Sequence, residues 1–241
     1  MLVKLSDDLV PADLAAYYDE FWRVGGMEIV EQWLSSPAHR ERVDTVIEMA
    51  KSAASVEGNG TAIDFGCGPG TLSVALDNVF STVIPVDISK VAISMLPPEL
   101  QDTAVVIDAD RVVDGILGIA DIFLQYTPAD VAVASEVLEH TKDPRGVLDA
   151  LLRVAAMVVV SVPINEPLNE ETFNTERILK PRAPGDGVGH IWSMDDEGFM
   201  ELVDGYDVVE KKKTALNIVA LIRSPYYNAE GLWETSSNET D

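Results

Sequence analysis

The sequence predicts an α/β fold in which a mostly parallel sheet of seven strands ends in an antiparallel hairpin and carries an N-terminal helical extension. Three observations support this prediction. Short β-rich segments alternate with helical segments from residue 61 to residue 162. The strand predicted at 157–162 is apolar apart from Ser161, as expected of a strand that is buried on both faces. Two last strands, at 206–210 and 215–222, are joined by a short link, which favours antiparallel pairing.

The first 56 residues form the predicted helical extension. Apolar residues recur at three- and four-residue spacing between Pro11 and Ala54, which is typical of helices with one buried face. Ser35, Ser36 and Pro37 divide this segment into two helices, because proline is well suited to the first turn of a helix. We therefore predict an extension or lid at 1–56, a sheet domain at 57–223 and an acidic, flexible tail at 224–241.

The sheet domain begins after a loop at 57–60. Its first five predicted strands are 61–65, 81–86, 103–107, 130–134 and 157–162, with helices at 71–79, 90–95 and 144–154. The segment 163–191 holds four prolines and three glycines, and long irregular segments of this kind are often functional. Ser193 is expected to begin the helix that Gly205 ends, with Asp196 as a capping partner.

The composition argues against several classes of protein. There are 41 acidic and 17 basic residues, a net charge of −24, and nucleic acid binding depends on Lys and Arg to neutralise phosphates. The longest apolar stretch, near 154–162, is much shorter than the roughly 20 residues of a membrane-spanning helix. The N-terminus lacks the pattern of a secretion signal.

The cysteine content and the charge bear on where the protein works. Cys67 is the only cysteine, so the chain forms no intramolecular disulfide and no cysteine-based zinc site. We expect a cytoplasmic protein with no membrane or nucleic acid partner. Because salt screens self-repulsion, the excess of acids also suits a salt-rich cytoplasm. The sequence does not indicate an oligomeric state.

The most informative motif is the turn DFGCGPG at 64–70, between the first strand of the sheet and a helix. Glycines let a backbone turn sharply and approach a ligand closely, and ligands of Rossmann-like sheets bind at the carboxyl ends of the strands. A dinucleotide fingerprint would place a glycine where Thr71 stands, and a P-loop would place a lysine after Gly70. Asp64 suits a ligand with an ammonium group, such as the methionine end of S-adenosylmethionine.

Three blocks of sequence resemble the class I S-adenosylmethionine-dependent methyltransferases, in particular the general and small-molecule group. They are AIDFGCGPG at 62–70, PVD ending at Asp87, and ASEVLEH at 134–140, within a resemblance that spans roughly residues 60–222. The resemblance implies a Rossmann-like fold and S-adenosyl-L-methionine as cofactor. It also implies a set of cofactor-binding residues: Asp64, Gly66, Cys67, Gly68, Gly70, Asp87, Ile88, Asp108, Ala109, Ser135, Glu136 and Tyr17.

Within that set, Asp87 would bind the ribose hydroxyls, and Asp108 with Ala109 would lie beside the adenine. Other interpretations stay open for some members. Asp64 can also cap a turn, and Cys67 suits a small buried apolar position better than a nucleophile, since no basic residue adjoins it.

Methyl transfer from a sulfonium requires alignment and, for a hydroxyl acceptor, removal of a proton. His190, in the irregular segment, and His140, after the fourth sheet strand, are the candidate catalytic residues, while His39 is assigned to a surface helix. Asn165 and Glu166 are placed to touch the acceptor. These features predict methyl transfer to a small-molecule acceptor, with oxygen favoured as the methylated atom.

Three alternative functions compete with this interpretation. The first is a metal-assisted enzyme, because the metal-binding set of small-RNA ribose 2′-O-methyltransferases resembles Glu136, Glu139, His140 and His190. However, EVLEH also occurs in metal-free relatives, and the acidic composition disfavours RNA. No metal is therefore assigned. A nicotinamide-dependent oxidoreductase is disfavoured by Thr71. A non-catalytic binding protein is disfavoured because the residues of the glycine turn are intact.

Overall fold

The computed structural model describes residues 1–54, 60–108, 129–175 and 188–227. The strands are β1 (Leu2–Lys4), β2 (Thr61–Phe65), β3 (Thr82–Asp87), β4 (Val105–Val106), β5 (Ala129–Ser135), β6 (Ala155–Pro163), β7 (Trp192–Met194), β8 (Asp207–Lys213) and β9 (Asn217–Arg223). The helices are α1 (Leu14–Ser35), α2 (Pro37–Ala53), α3 (Thr71–Asp77), α4 (Lys90–Ser94), α5 (Pro98–Gln101), α6 (Pro144–Leu152) and α7 (Asp196–Leu202). Ala109, most of the predicted tail and part of the irregular segment lie outside the described residues.

The main sheet has seven strands in the order β4-β3-β2-β5-β6-β9-β8. β4, β3, β2, β5 and β6 are parallel to one another, whereas β9 is antiparallel to both β6 and β8. The predicted mostly parallel sheet with a terminal antiparallel hairpin is therefore confirmed. The basic run at 211–213 lies on the edge strand β8, where lysines discourage pairing with other chains.

The two faces of the sheet are covered by different helices. Successive residues of a strand point to opposite faces, so Val131 and Val133 of β5 pack with α2 and α3, whereas Ala132 packs with α6 and α7. On the first face α2 contributes Val46, Met49 and Ala50; on the second, α6 contributes Val147, Leu148, Leu151 and Leu152, and α7 contributes Phe199. Burial on both faces explains why β5 and β6 are mostly apolar, with Asp130, Ser135 and Ser161 as the exceptions.

The N-terminal extension forms the two predicted helices. α1 is kinked at Gly26, whose φ of 48° lies in the left-handed region, and α2 begins at Pro37. Apolar residues of α1, including Phe21 and Trp22, pack with Ala92 of α4. Among the described helices, none combines the length and the apolar composition needed to cross a bilayer.

The predicted start of the last helix was wrong. Ser193 belongs to β7, which pairs with β1 in a separate two-stranded antiparallel sheet, with Ser193 opposite Val3. Asp195 caps α7 instead, since its carboxylate accepts the Gly198 amide at 2.9 Å. The partner strand of β7 lies almost 190 residues earlier in the chain, so no local pattern indicated it.

Candidate active site

The glycine turn after β2 is held in a conformation that side chains disfavour. The backbone φ angles are +76° at Gly66, +53° at Gly68 and +88° at Gly70. A Cβ atom on Gly66 would lie 2.3 Å from Val137 Cγ2, and one on Gly70 would lie 2.4 Å from Leu96 Cδ2. Both the turn and the close packing around it therefore require glycine, with Gly66 exposed and Gly68 and Gly70 buried.

Asp64 and Asp87 flank this turn at the ends of adjacent parallel strands. The Asp64 side chain is 1% exposed and accepts the Ser73 hydroxyl at 2.5 Å. The two carboxylate oxygens of Asp87 accept the backbone N–H groups of Gly68 and Ser89, each at 2.8 Å. Asp87 therefore ties the glycine turn to the loop after β3, a structural role that the sequence did not reveal.

Both carboxyl groups have raised pKa values. Burial raises the pKa of Asp64 to about 7, with the negative charge of Asp87 acting in the same direction. Burial also raises the pKa of Asp87 to about 6, although the backbone hydrogen bonds that it accepts oppose the shift. Within the described part of the chain, no cationic side chain contributes to either shift. A cationic ligand is the group that would compensate these buried charges.

The kinked helix α1 lies across the turn. The Trp22 ring comes within 3.0 Å of the position of a Cβ atom on Gly68, and Trp22 itself is only 7% exposed. The neighbouring Tyr17, the predicted cofactor contact, turns toward the irregular segment, where its hydroxyl donates to the Thr172 carbonyl at 3.3 Å and its ring meets Phe173. Sequence reasoning missed Trp22, although Tyr18 and Trp22, four residues apart, share one helix face.

The remaining predicted cofactor residues lie around the same strand ends. Cys67 is buried within the turn, and its backbone N–H donates to Val86 at 2.9 Å. Burial raises the pKa of the Cys67 thiol well above its ordinary value, which fits an inert apolar position. Ile88 follows Asp87 and is half-buried, and Asp108 is half-buried just after β4.

Ser135, the last residue of β5, and Glu136, which follows it, belong to a polar network. The two hydroxyls of Ser135 and Ser161 lie 2.8 Å apart. Glu136 has a left-handed backbone, with φ of 60°, and its carboxylate is fully engaged: Oε1 accepts from Asn217 at 2.8 Å and from Ser161 at 3.2 Å, and Oε2 pairs with Arg42 at 2.8 Å. Arg42, on α2, was missed because nothing in the sequence links that helix to the strand ends.

The two predicted catalytic histidines meet, although 50 positions separate them. The ring centroids of His140 and His190 are 4.7 Å apart. His140 Nδ1 lies 2.9 Å from the Gly189 carbonyl oxygen and 3.0 Å from the Tyr18 hydroxyl. His190 Nδ1 lies 3.3 Å from Glu166 Oε2, which brings a predicted acceptor contact into the same cluster.

Glu139 completes this group, which we call the histidine cluster: Glu139, His140, Glu166 and His190. Burial raises the pKa of Glu139 well above its ordinary value, with the negative charge of Glu136 adding to the effect, and burial lowers the pKa of His140 to about 4. Of the four residues in the RNA-methyltransferase alternative, the structure brings Glu139, His140 and His190 together, while Glu136 bonds elsewhere. His39, assigned to a surface helix, is half-buried on α2, and burial lowers its pKa to about 4.

Comparisons with known proteins show which family has this fold and glycine turn. A methyltransferase-domain family model matches residues 39–209, more than half of the chain. A sequence comparison with curated proteins finds no significant match. The structure is similar to the N-methyltransferase NodS of Bradyrhizobium japonicum, solved with S-adenosyl-L-homocysteine, at 16% identity and a TM-score of 0.57, covering 87% of this chain and 97% of that one.

Two further solved structures share the fold. Magnesium protoporphyrin IX methyltransferase of Synechocystis, solved with S-adenosylmethionine, is 15% identical with a TM-score of 0.58, and the match covers 91% of this chain and 99% of that one. A putative methyltransferase of Haloferax volcanii, solved in complex with the activator Trm112, is 14% identical with a TM-score of 0.53, covering 86% and 98%. With the family match and the glycine turn, these findings show that the chain belongs to the class I methyltransferases, enzymes that use S-adenosylmethionine as cofactor.

Proposed function

We propose that this enzyme transfers the methyl group of S-adenosylmethionine to an oxygen atom of a small-molecule acceptor. The proposal is carried by two neighbouring features. Asp64 and Asp87 are buried at the glycine turn without a cationic partner among the described residues. The histidine cluster follows the neighbouring strand β5. The first feature suits a cationic cofactor. The second supplies groups that can hold a hydroxyl and remove its proton.

On the cofactor side, the bare backbone of Gly66, Gly68 and Gly70 would lie against the methionine and ribose portions. The ammonium and sulfonium charges of the cofactor would offset the cost of ionising Asp64 and Asp87, which are buried without a cationic partner in the described residues. The Asp87 carboxylate, at the end of β3, would accept the ribose hydroxyls in addition to the backbone N–H groups that it already binds.

On the acceptor side, His190 is better suited than His140 to take a proton from a hydroxyl. The Glu166 carboxylate lies 3.3 Å from His190 Nδ1, so it can orient the ring and stabilise the protonated form, as a third group does for the base of a catalytic triad. His140 has a pKa lowered to about 4 by burial, which makes it a poor base near neutral pH. Methyl transfer itself is an in-line displacement that requires alignment.

The class of acceptor rests on two observations. The net charge of −24 repels a polyanion, so RNA is a disfavoured substrate. One of the similar structures is a methyltransferase of magnesium protoporphyrin IX, which is a small molecule. The single buried cysteine and the acidic composition fit a cytoplasmic location.

The test uses S-adenosylmethionine that carries tritium in its methyl group and traces the label into the products. The enzyme is incubated with a low-molecular-weight metabolite extract or with total RNA, and the products are separated and analysed by mass spectrometry. We expect label in the small-molecule fraction, on oxygen, and its loss in Asp64→Asn. Labelled RNA would favour the ribose methyltransferase alternative, and cofactor binding without any labelled product would favour a non-catalytic role.

A further inference from the structure

We propose that the small sheet of β1 and β7 positions the base His190 and its partner Glu166 for proton removal. Trp192 and Ser193 of β7 are the positioning residues. β7 begins two residues after His190, and hydrogen bonds join it to the two other segments that carry the histidine cluster. The inference rests on the proposed function for the role of His190 as a base, whereas the placement of the segments is independent of that role.

β7 holds the segment that carries Glu166. The Asn165 backbone N–H donates to the Met194 carbonyl at 2.9 Å, and the Ser193 hydroxyl donates to the Glu166 carbonyl. Asn165 has φ of 60°, a left-handed conformation that is uncommon outside glycine, so this turn depends on the bonds that its neighbours supply. The separation of 3.3 Å between Glu166 Oε2 and His190 Nδ1 therefore depends on β7.

The same strand and the residue before it hold the turn that carries His140. The Ile191 backbone N–H donates to the Glu139 carbonyl at 2.8 Å. The Trp192 indole N–H donates to the Thr141 carbonyl, also at 2.8 Å. Because these two carbonyls flank His140 in the chain, the distance between the two imidazoles of the cluster depends on the same strand as the Glu166 contact.

β1 holds β7 in place. Residues 2–4 pair with residues 192–194, and the Leu5 backbone N–H extends this pairing by donating to the Ile191 carbonyl at 2.7 Å. The pairing thus reaches the residue next to His190. A lone strand of three residues would leave backbone groups unpaired, so β7 needs this partner to keep its conformation.

The fit of β1 against α7 requires glycine at position 198. A Cβ atom on Gly198 would lie 2.5 Å from the Met1 carbonyl oxygen and 2.8 Å from the Leu2 backbone nitrogen. Glycine is unfavourable within a helix, so its presence in α7 is explained by the passage of β1. Gly198→Ala should therefore displace β1 while α7 stays folded.

The hydrogen bonds of β7 that hold the cluster lie on the acceptor side of the site. The glycine turn is tied instead by Asp87, whose carboxylate accepts the backbone N–H groups of Gly68 and Ser89. A base must lie within hydrogen-bond reach of the hydroxyl, and a displacement of about 1 Å can lower a rate about 100-fold. Loosening β7 should therefore slow methyl transfer and leave the affinity for S-adenosylmethionine unchanged.

The test compares Ser193→Ala, which removes the hydroxyl bonded to Glu166, with Ser193→Thr, which keeps a hydroxyl. Tritium transfer from S-adenosylmethionine to a low-molecular-weight metabolite extract gives the rate, and calorimetry gives the cofactor affinity. We expect Ser193→Ala to lose at least about tenfold in rate at unchanged affinity, and Ser193→Thr to restore most of the rate. Ser52→Ala is the matched control, because the Ser52 hydroxyl also donates to a backbone carbonyl, that of Met49 at 2.8 Å.

Nuclear magnetic resonance tests the positioning without any acceptor. The chain has three histidines, so the ring signals of isotope-labelled histidine can be assigned individually. We expect the His190 signals to shift in Ser193→Ala and Gly198→Ala and to return in Ser193→Thr, with His39 on α2 as the unchanged reference. Met200→Ala is the control for Gly198→Ala, since Met200 lies on α7 and is 43% exposed.

A folded Ser193→Ala variant that keeps either the wild-type rate or the wild-type His190 signals would overturn the positioning role. Wild-type His190 signals in Gly198→Ala would overturn the role of β1. If circular dichroism shows that Ser193→Ala is unfolded, Trp192→Phe replaces it, since that change keeps a ring and removes the N–H bonded to Thr141. Wild-type enzyme that labels no oxygen removes the proposed function alone, because the histidine signals still decide the positioning.

Discussion

The Gly68 amide donates a 2.8 Å hydrogen bond to Oδ2 of Asp87, so the glycine turn after β2 and the loop after β3 are held at a fixed separation. The other oxygen of Asp87 accepts the Ser89 amide at the same distance. One carboxylate thereby connects two backbone segments at the ends of β2 and β3.

The tightest position of the turn is Gly66. In Gly66→Ala the new Cβ would lie 2.3 Å from Val137 Cγ2 in a backbone with φ of +76°, so we expect a loss of about 2–4 kcal/mol of unfolding free energy and at least a tenfold loss of cofactor affinity. Urea denaturation and calorimetric titration measure these effects. Gly26→Ala is the control, because φ there is +48° but no atom lies within 4 Å of a Cβ. Equal costs in the two variants would show that the contact with Val137 is irrelevant.

The buried acids predict opposite pH dependences of stability and binding. Burial raises the pKa of Asp64 from 3.8 to about 7 in the folded protein, so its protonation stabilises the fold. That stabilisation is fully present below pH 3.8 and is lost as the pH rises through about 7. The unfolding free energy of wild type relative to Asp64→Asn should therefore decrease from pH 4 to pH 7.5. Urea denaturation across this range measures the difference, and a flat difference would contradict the raised pKa.

Cofactor binding should follow the reverse trend. Ionised Asp64 and Asp87 attract the cationic cofactor, so its affinity should increase between pH 5 and pH 8 as both acids, with pKa values of about 7 and about 6, lose their protons. Calorimetry with S-adenosylmethionine over this range measures the trend. In Asp64→Asn the increase should shrink. An affinity that falls with rising pH would argue against these acids as partners of a cationic ligand.

Trp22 connects the N-terminal helix to the turn. Because the side chain is 7% exposed and packs against Gly68, Trp22→Ala should cost about 3–5 kcal/mol of unfolding free energy and weaken cofactor binding. Met27, on the same helix, is 52% exposed and provides the control, with an expected cost of about 1 kcal/mol or less in Met27→Ala and unchanged affinity. Urea denaturation and calorimetry compare the two. Similar cofactor affinities in both variants would show that α1 does not contribute to the cofactor site.

Salt should stabilise the protein. A net charge of −24 creates self-repulsion in the compact state, and the screening length shortens from about 10 Å at 0.1 M salt to about 3 Å at 1 M. We expect the thermal midpoint to increase by several degrees between 0.1 M and 1 M KCl. Sucrose at matched osmolality is the control for effects unrelated to charge. A midpoint that does not change with KCl would remove the argument for a salt-rich cytoplasm.

Several features could be predicted because their causes are local. Strand and helix alternation, the turn at Gly66–Gly70 and the apolar run at the centre of β6 each follow from neighbouring residues. The family resemblance and its cofactor are confirmed. The assignment of individual residues to the cofactor stays a prediction. The prediction that Ser193 begins a helix was wrong because the cause of its strand is not local. The strand forms because β1, far away in the chain, supplies its hydrogen-bonding partners.

By itself, the sequence determined the α/β order and the glycine turn, since side-chain periodicity and the absence of Cβ atoms act over a few residues. Only the tertiary structure decided that Arg42 pairs with Glu136 and that His140 meets His190. It also decided that both oxygens of Glu139 are buried without a hydrogen-bond partner. Contacts between side chains far apart in the chain depend on how helices and loops pack on the sheet, and that packing is set by the summed burial of many residues rather than by any local pattern.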